Sequence, residues 1–163
     1  VMQPAINVPV GSSTDSIVPQ LLNSFKYEFP EWLLNNTTIN DTNFPVASVV
    51  YIENTGTNKY QSNVERASTD NLNKGAKHNL FLFLSYDFKV LKVLHKGYYD
   101  IPSNMIQNWS AGKTIYLNAN NVLDTTPTGA SGHWVRSLGF CIPNKENLKR
   151  VWFEADSTYL RII

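Results

Sequence analysis

Residues 112–163 read GKTIYLNANNVLDTTPTGASGHWVRSLGFCIPNKENLKRVWFEADSTYLRII, and this stretch decides the fold class. Four runs in it are rich in β-branched, aromatic and aliphatic residues: 114–117, 133–141, 150–154 and 159–163. Clusters of Asn, Asp, Pro and Gly separate these runs and break any helical continuation. The stretch therefore predicts four strands joined by polar turns, and it contains no recognisable catalytic motif.

More strand-like runs precede this stretch. Residues 46–53 (VASVVYIE) and the short run 59–62 flank a turn containing Gly and Asn, which is the pattern of a β-hairpin. Residues 79–85 (NLFLFLS) form the most hydrophobic run, and we expect a central strand there because the run is too short to span a membrane. Another β-branched run covers 90–96. About eight short strands at this spacing predict an all-β fold, a small antiparallel β-sandwich or barrel.

The N-terminal part of the chain has a different pattern. Residues 1–19 contain prolines, a glycine and a polar run, which favours an extended arm. Asp15 or Ser16 can cap a helix, and the apolar residues that follow recur at helical spacing. We therefore expect one short helix over residues 17–25.

This pattern divides the chain into an N-terminal arm with a short helix, residues 1–45, and a β domain, residues 46–163. An arm that cannot fold alone gains order by lying on a neighbour, which couples its folding to assembly. We expect the arm to anchor the protein and to support oligomerisation through its apolar side chains. These are Ile6, Val8, Val10, Ile17, Leu21, Leu22 and Phe25.

Composition limits the kinds of partner. The 163 residues include 14 basic and 13 acidic side chains, a formal net charge of +1, so we expect no nucleic-acid partner. No apolar run approaches the length of a membrane helix, so we expect no membrane partner either. The single cysteine, Cys141, cannot form an internal disulfide, and its β-rich surroundings favour a buried hydrophobic role.

Candidate catalytic and metal-binding residues do not form a constellation in the sequence. His78, His95 and His133 lie in separate segments without metal-ligand spacing. The carboxylates fall mostly at predicted turns and strand ends, where solvated or turn-forming roles are typical. The sequence therefore predicts no enzyme, no metal site and no cofactor, and a hydrolase assembled across loops is the weakest alternative.

The aromatic residues offer a possible binding surface. Flat rings stack on sugars while Asn and Asp side chains bind hydroxyls, so exposed aromatics could bind a glycan. Trp109 lies between Asn108 and Ser110, which predicts that it is exposed, and Tyr98 and Tyr99 are the other candidates. The alternative is that most aromatics pack in the core or at a subunit interface, and the composition favours that alternative.

A set of short motifs occurs in a fixed order along the predicted strands and turns. Their positions are Val49, Val50, Tyr51, Gly56, 81–84, 94–97, 112–117, Thr125, Thr126, Pro127, 135–139 and 152–162. This order resembles the small β domain of tailed-phage virion proteins, which occurs in head fibres, capsid decoration proteins and tail fibres. The similarity covers residues 46–163, with bulkier polar insertions at 64–77 and 144–149.

The resemblance implies a non-enzymatic structural component of a bacteriophage virion, bound to other virion proteins through its N-terminal segment. It also implies a homo-oligomer, for which a trimer is the leading expectation. The alternative hypothesis is a carbohydrate-binding adhesion module that uses the exposed aromatics to bind a host-surface glycan.

Overall fold

A computed structural model describes residues 24–35, 38–54 and 56–163. The described residues form twelve strands and three short helical turns, so the predicted all-β class is confirmed while the strand count exceeds the expected eight. The strands are β1 (Phe25–Pro30), β2 (Val49–Glu53), β3 (Asn63–Arg66), β4 (Phe81–Asp87), β5 (Val90–Asp100), β6 (Ile106–Gln107), β7 (Tyr116–Leu117), β8 (Leu123–Asp124), β9 (Trp134–Val135), β10 (Gly139–Cys141), β11 (Arg150–Glu154) and β12 (Leu160–Arg161). The turns are Glu31–Leu33, Leu72–Ala76 and Ser103–Met105.

Seven strands form the main sheet, and β5 lies at its centre. The strand order is β10-β11-β5-β4-β2-β3, with β1 also paired to β5, and every pair in this sheet is antiparallel. The hairpin predicted from the turn after residue 53 is present as β2 and β3, but its second strand is Asn63–Arg66 and not the predicted 59–62, where residues 59 and 60 form a turn. Two smaller sheets, β6-β8-β7 and β12-β9, are built from the loops that follow β5.

The first face of the main sheet packs against the two smaller sheets. Alternate residues of the long strands point to this face, because successive side chains of a strand alternate between faces. The resulting first core joins residues of the main sheet to residues of the C-terminal loops. It contains Tyr51, Leu82, Leu94, Val151 and Phe153 from the main sheet, and Ile106, Ile115, Leu117, Leu123, Trp134 and Leu138 from the smaller elements.

The second face of the main sheet carries a separate core. It consists of strand residues that alternate with those of the first core, such as Phe81 and Phe83 beside Leu82. Leu34 and Phe44 cover these residues from outside, and Phe44 stacks on Phe83 with ring centroids 5.5 Å apart. Residues between β1 and β2 therefore contribute directly to the β body.

This arrangement changes the expected role of the segment before residue 46. Phe25, predicted to end a helix, is instead the first residue of β1, which pairs with β5 from Phe25 opposite Lys96 to Pro30 opposite Val90. Ser24, which also falls in the predicted helix, is not helical, and residues 17–23 lie outside the described residues. Helical spacing was misleading at Phe25, because the aromatic residues that follow alternate with charged ones (FKYEF) and pair well as a strand. In the part of the chain that the structure describes, no helix has the length and apolar character needed to cross a membrane.

Candidate functional site

Three aromatic side chains lie side by side across one end of the main sheet. Phe140 of β10 is directly opposite Trp152 of β11, and Trp152 is directly opposite Tyr98 of β5. Directly opposed residues of an antiparallel pair point to the same face of the sheet. We call these three side chains the aromatic row. Adjacent strands are about 4.8 Å apart, so the row is roughly 10 Å long.

The aromatic row lies on the second face of the sheet. Its immediate neighbours in sequence, Cys141, Val151 and Phe153, belong to the first core, so the row points the opposite way. The second core covers the other end of this face and does not extend to the row. Phe140 is 42% exposed, while Trp152 and Tyr98 are half-buried.

Two contacts fix the rings of Tyr98 and Trp152. Tyr98 and Trp152 meet edge to face, with ring centroids 5.1 Å apart and an interplanar angle of 82°. This is a favoured geometry for aromatic pairs because the ring edge is electropositive and the ring face electronegative. Trp152 Nε1 also donates a hydrogen bond to Glu154 Oε1 at 2.9 Å. These contacts hold the Tyr98 and Trp152 rings in one arrangement.

Charged pairs border the row on both sides. Lys96 and Glu154 are opposed in the strand register on one side, with Lys96 Nζ 3.4 Å from Glu154 Oε2. On the other side Arg150 Nε donates to Asp100 Oδ1 at 2.8 Å, and Arg150 also donates to Glu146 Oε2 at 3.0 Å. Each pair is two residues along its strands from the row, so it shares the face of the row.

The pKa values of residues in the row and its border are shifted by these contacts and by burial. The hydrogen bond from Trp152 and the charge of Lys96 hold the pKa of Glu154 below its ordinary value, against the opposing effect of burial. Hydrogen bonding to Asp100 raises the pKa of Arg150, and burial raises the pKa of Tyr98. Glu154 and Arg150 are thus charged at neutral pH, and the Tyr98 hydroxyl stays protonated.

Asp124, the most buried carboxylate among the described residues, has a structural role. Asn108 Nδ2, Asn118 Nδ2 and the Thr126 backbone N–H donate to it at 3.0, 3.1 and 2.9 Å. Burial alone would raise the pKa of Asp124, but these hydrogen bonds outweigh it and hold the pKa below its ordinary value. The carboxylate therefore ties the strands and loops of the three-stranded sheet together.

The buried Arg136 likewise acts on the backbone. Its guanidinium donates to the carbonyl oxygens of Gly75, Ala76 and His78, and its Nε donates to the carbonyl of Asp156. These bonds satisfy the Leu72–Ala76 turn, where Gly75 has a φ of 116° that favours glycine. Arg136 thus joins that turn to the C-terminal strands.

The three histidines lie in three different environments. His78 contacts the Tyr51 ring and Glu53, His95 lies beside an aromatic ring of the second core, and His133 Nδ1 is 2.9 Å from Thr69 Oγ1. Within residues 24–35, 38–54 and 56–163, no group of His, Cys, Asp or Glu side chains is arranged to hold a metal ion. Cys141 is buried, and burial raises the pKa of its thiol.

The predicted glycan-binding residues are not brought together. Tyr98 belongs to the aromatic row, but Tyr99 points to the opposite face and packs on the first core. The expectation that Trp109 is exposed was wrong: it also packs on the first core, and its Nε1 donates to the Arg150 carbonyl at 2.9 Å. Polar sequence neighbours did not reveal this contact, because it comes from a strand far along the chain. Trp32 is the exposed tryptophan, at 69%.

Sequence reasoning did not select Trp152 or Phe140 as candidate glycan-binding residues. Their signal is the alternation with Val151, Phe153 and Cys141, which marks them as outward residues once the inward set is known. Among the predicted anchoring residues, Phe25 lies in β1 and is 47% exposed. Ile6, Val8, Val10, Ile17, Leu21 and Leu22 lie outside the described residues.

Comparisons with protein-family models, with curated proteins and with solved structures find no match to this chain.

Proposed function

We propose that the protein is a non-enzymatic structural component of a bacteriophage virion, such as a head fibre, capsid decoration or other auxiliary protein. In this proposal it is located in the virion and binds other virion proteins through its N-terminal segment. The observation that supports it best is the pairing of β1 with β5. Residues 1–23 lead directly into a strand that is bound along six residues to the centre of the main sheet.

The pairing of β1 with β5 is a mechanically suitable link between the N-terminal segment and the β body. A force on the N-terminal segment passes first into β1 and then into β5, the strand that also pairs with β4 and β11. Aromatic packing adds to the backbone pairing, because Phe29 packs on the second core and the Tyr27 ring lies 6.0 Å from that of Phe81. The body and its attachment segment are therefore coupled through the most connected strand of the fold.

The junction itself is tightly fitted. A Cβ added at Gly97 would lie 2.5 Å from Ser24 Oγ, so the chain passes directly over the glycine just before β1 begins. This close approach fixes where the N-terminal segment leaves the body. Phe25 and Tyr27, both more than 40% exposed, lie beside this point and offer apolar surface to a neighbouring subunit or virion protein. We propose a homo-oligomer, with a trimer as the expected state.

The roles of the buried polar groups support the non-enzymatic part of the proposal. The hydrogen-bonding capacity of Asp124 and Arg136 is directed at backbone and amide groups of neighbouring loops. These contacts stabilise long connections that contain little regular structure. A carboxylate and a guanidinium that act in catalysis are instead directed at a space that a substrate can enter.

The proposal is tested on phage particles purified from a culture that produces this protein. Mass spectrometry of the particles is expected to detect the chain at a fixed number of copies per particle. In a binding assay with particles that lack the protein, a variant with Ile6, Val8 and Val10 changed to Ser is expected to sediment without the particles. A matched variant with Ser12, Ser13 and Thr14 changed to Ala is expected to bind as the unaltered chain does. Absence of the chain from purified particles, or equal binding of both variants, would overturn the proposal.

A further inference from the structure

We infer that the aromatic row formed by Tyr98, Trp152 and Phe140 is a binding face for a short, neutral glycan. The inference rests on the geometry and chemistry of the row and its charged border. It is independent of the N-terminal segment and therefore of the proposed attachment to a virion.

The shape of the row fits a carbohydrate. Three rings on three neighbouring strands form a strip roughly 10 Å long and one side chain wide. Tyr98 and Trp152 are nearly perpendicular, with an interplanar angle of 82°, so a sugar ring stacks its C–H face on one of these rings and contacts the edge of the other. Aromatic side chains favour this contact, because they present an electron-rich face to weakly positive C–H groups.

The border supplies the hydrogen bonds that sugar hydroxyls need. Lys96 and Glu154 lie on one side of the row, and Arg150 with its carboxylate partners lies on the other. Asp100, Glu146 and Glu154 have roughly half of their side-chain surface exposed, so their oxygens can accept additional hydrogen bonds from hydroxyl groups. Hydrogen bonds to charged groups are stronger than neutral ones. A ligand lying on the rings therefore meets polar partners at both edges.

The charges also select among glycans. Within the ion pairs that border the row, the three carboxylates of Asp100, Glu146 and Glu154 outnumber the two cations of Lys96 and Arg150. A sialylated or sulfated glycan would bring further negative charge to this border and be repelled. The site accordingly favours neutral sugars.

The size of the row argues against a macromolecular partner. A stable protein interface buries about 800 Å² on each partner, far more than three partly exposed rings can provide. An apolar peptide laid along the row would also take the bordering ion pairs out of water without replacing their hydrogen bonds, which is unfavourable. A small ligand rich in hydroxyl groups avoids both difficulties.

The row is also arranged before any ligand binds. The strand register, the edge-to-face contact of Tyr98 with Trp152 and the hydrogen bond from Trp152 to Glu154 hold these two rings in place. A ligand then loses less free energy to the ordering of protein side chains.

The test uses the full chain on an array of neutral, sialylated and sulfated oligosaccharides. We expect binding to neutral members only, followed by a calorimetric dissociation constant for the strongest of them. Phe140→Ala and Trp152→Ala are each expected to weaken binding on the order of tenfold. Trp32→Ala, which removes an exposed ring elsewhere, is expected to leave binding unchanged and serves as the control.

A second readout separates loss of contact from loss of fold. Among the indole N–H signals of the four tryptophans in an NMR titration, that of Trp152 is expected to shift most on adding the same neutral oligosaccharide. The inference is overturned if no neutral glycan binds, if only anionic glycans bind, or if the row variants bind as tightly as the control. It is also overturned if glycan binds only after residues 1–23 are removed, since that segment would then be the natural occupant of the row.

Discussion

The two halves of the second face of the main sheet are built from the same kind of strand, but they differ in whether another described segment packs on them. In the covered half, Phe83 lies under Phe44 and is 3% exposed. In the open half, Phe140 and its neighbours in the aromatic row have no such cover from the described residues, and Phe140 is 42% exposed. The difference arises from the chain between β1 and β2, which crosses one half only.

This comparison separates residues that hold the fold from residues that are available to a ligand. Phenylalanine is a core residue in one half and a surface residue in the other, so residue type does not decide its role. What decides it is whether another segment packs on the strand from outside. Several substitutions test this separation.

Phe83→Ala should have the largest effect. It removes a buried ring together with its stacking partner's contact, and we expect the free energy of unfolding to fall by about 4 kcal/mol. Phe140→Ala, the same change in the open half, should cost less than about 1 kcal/mol because the ring is already partly hydrated. Urea denaturation measures both. Equal losses at the two positions would show that the row is covered.

Gly97→Ala should have the next largest effect. Gly97 has a φ of 146°, and its added methyl group would meet Ser24 where the N-terminal segment joins the body. We expect a loss of about 2 to 3 kcal/mol from backbone strain and steric overlap.

Gly112→Ala is the matched control for that change. Gly112 also has a positive φ, 82°, but nothing lies within 4 Å of the added atom, so only the strain of about 1 kcal/mol remains. Thermal or urea unfolding of both variants gives the comparison. If the two glycines tolerate alanine equally well, the close approach of Ser24 to Gly97 is not part of the folded state.

The contact between Tyr98 and Trp152 should contribute less to the free energy of unfolding than Phe83 or Gly97. A double-mutant cycle with Tyr98→Ala and Trp152→Ala is expected to give a coupling energy of about 1 kcal/mol, typical of an edge-to-face pair. Cycles from urea unfolding provide the measurement. A coupling energy of zero would mean that the rings move independently and that the row is not arranged in advance.

The smallest expected effect concerns Glu154. Its pKa is lowered in the folded state, so its ionised form stabilises the fold at pH values above the unfolded-state pKa. This contribution should disappear as the pH falls through the folded-state pKa. Because the side chain is about half exposed, the effect is small. The stability difference between the unaltered chain and Glu154→Gln should shrink on acidification, and a difference that grows instead would contradict the assigned contacts.

The elements that could be predicted from the sequence are those with strong local patterns. The apolar run at 79–85 became β4, the run from 150 to 154 became β11, and the hairpin turn after residue 53 joined two paired strands. Their patterns of alternation survive because each strand is buried on at least one face. The run at 133–141 was less predictable, since it divides into β9 and β10 around the buried Arg136.

The aromatic row could not be predicted from local sequence patterns. The row exists because β10, β11 and β5 are neighbours in one register, and strand order is a property of the whole chain. Trp109 was misplaced for the same reason, since its hydrogen-bond partner is Arg150. The strand at Phe25 was missed because its partner, β5, lies about seventy residues away.

The difference between the two halves of the sheet face is tested most directly by hydroxyl-radical footprinting of the full chain, read by mass spectrometry. After correction for intrinsic reactivity, Phe140 and Trp152 should be oxidised many times faster than Phe83 and Phe44, which lie in the covered half. Protection of Phe140 and Trp152 equal to that of Phe83 would show that another segment or another copy of the chain covers the row, and would contradict the account.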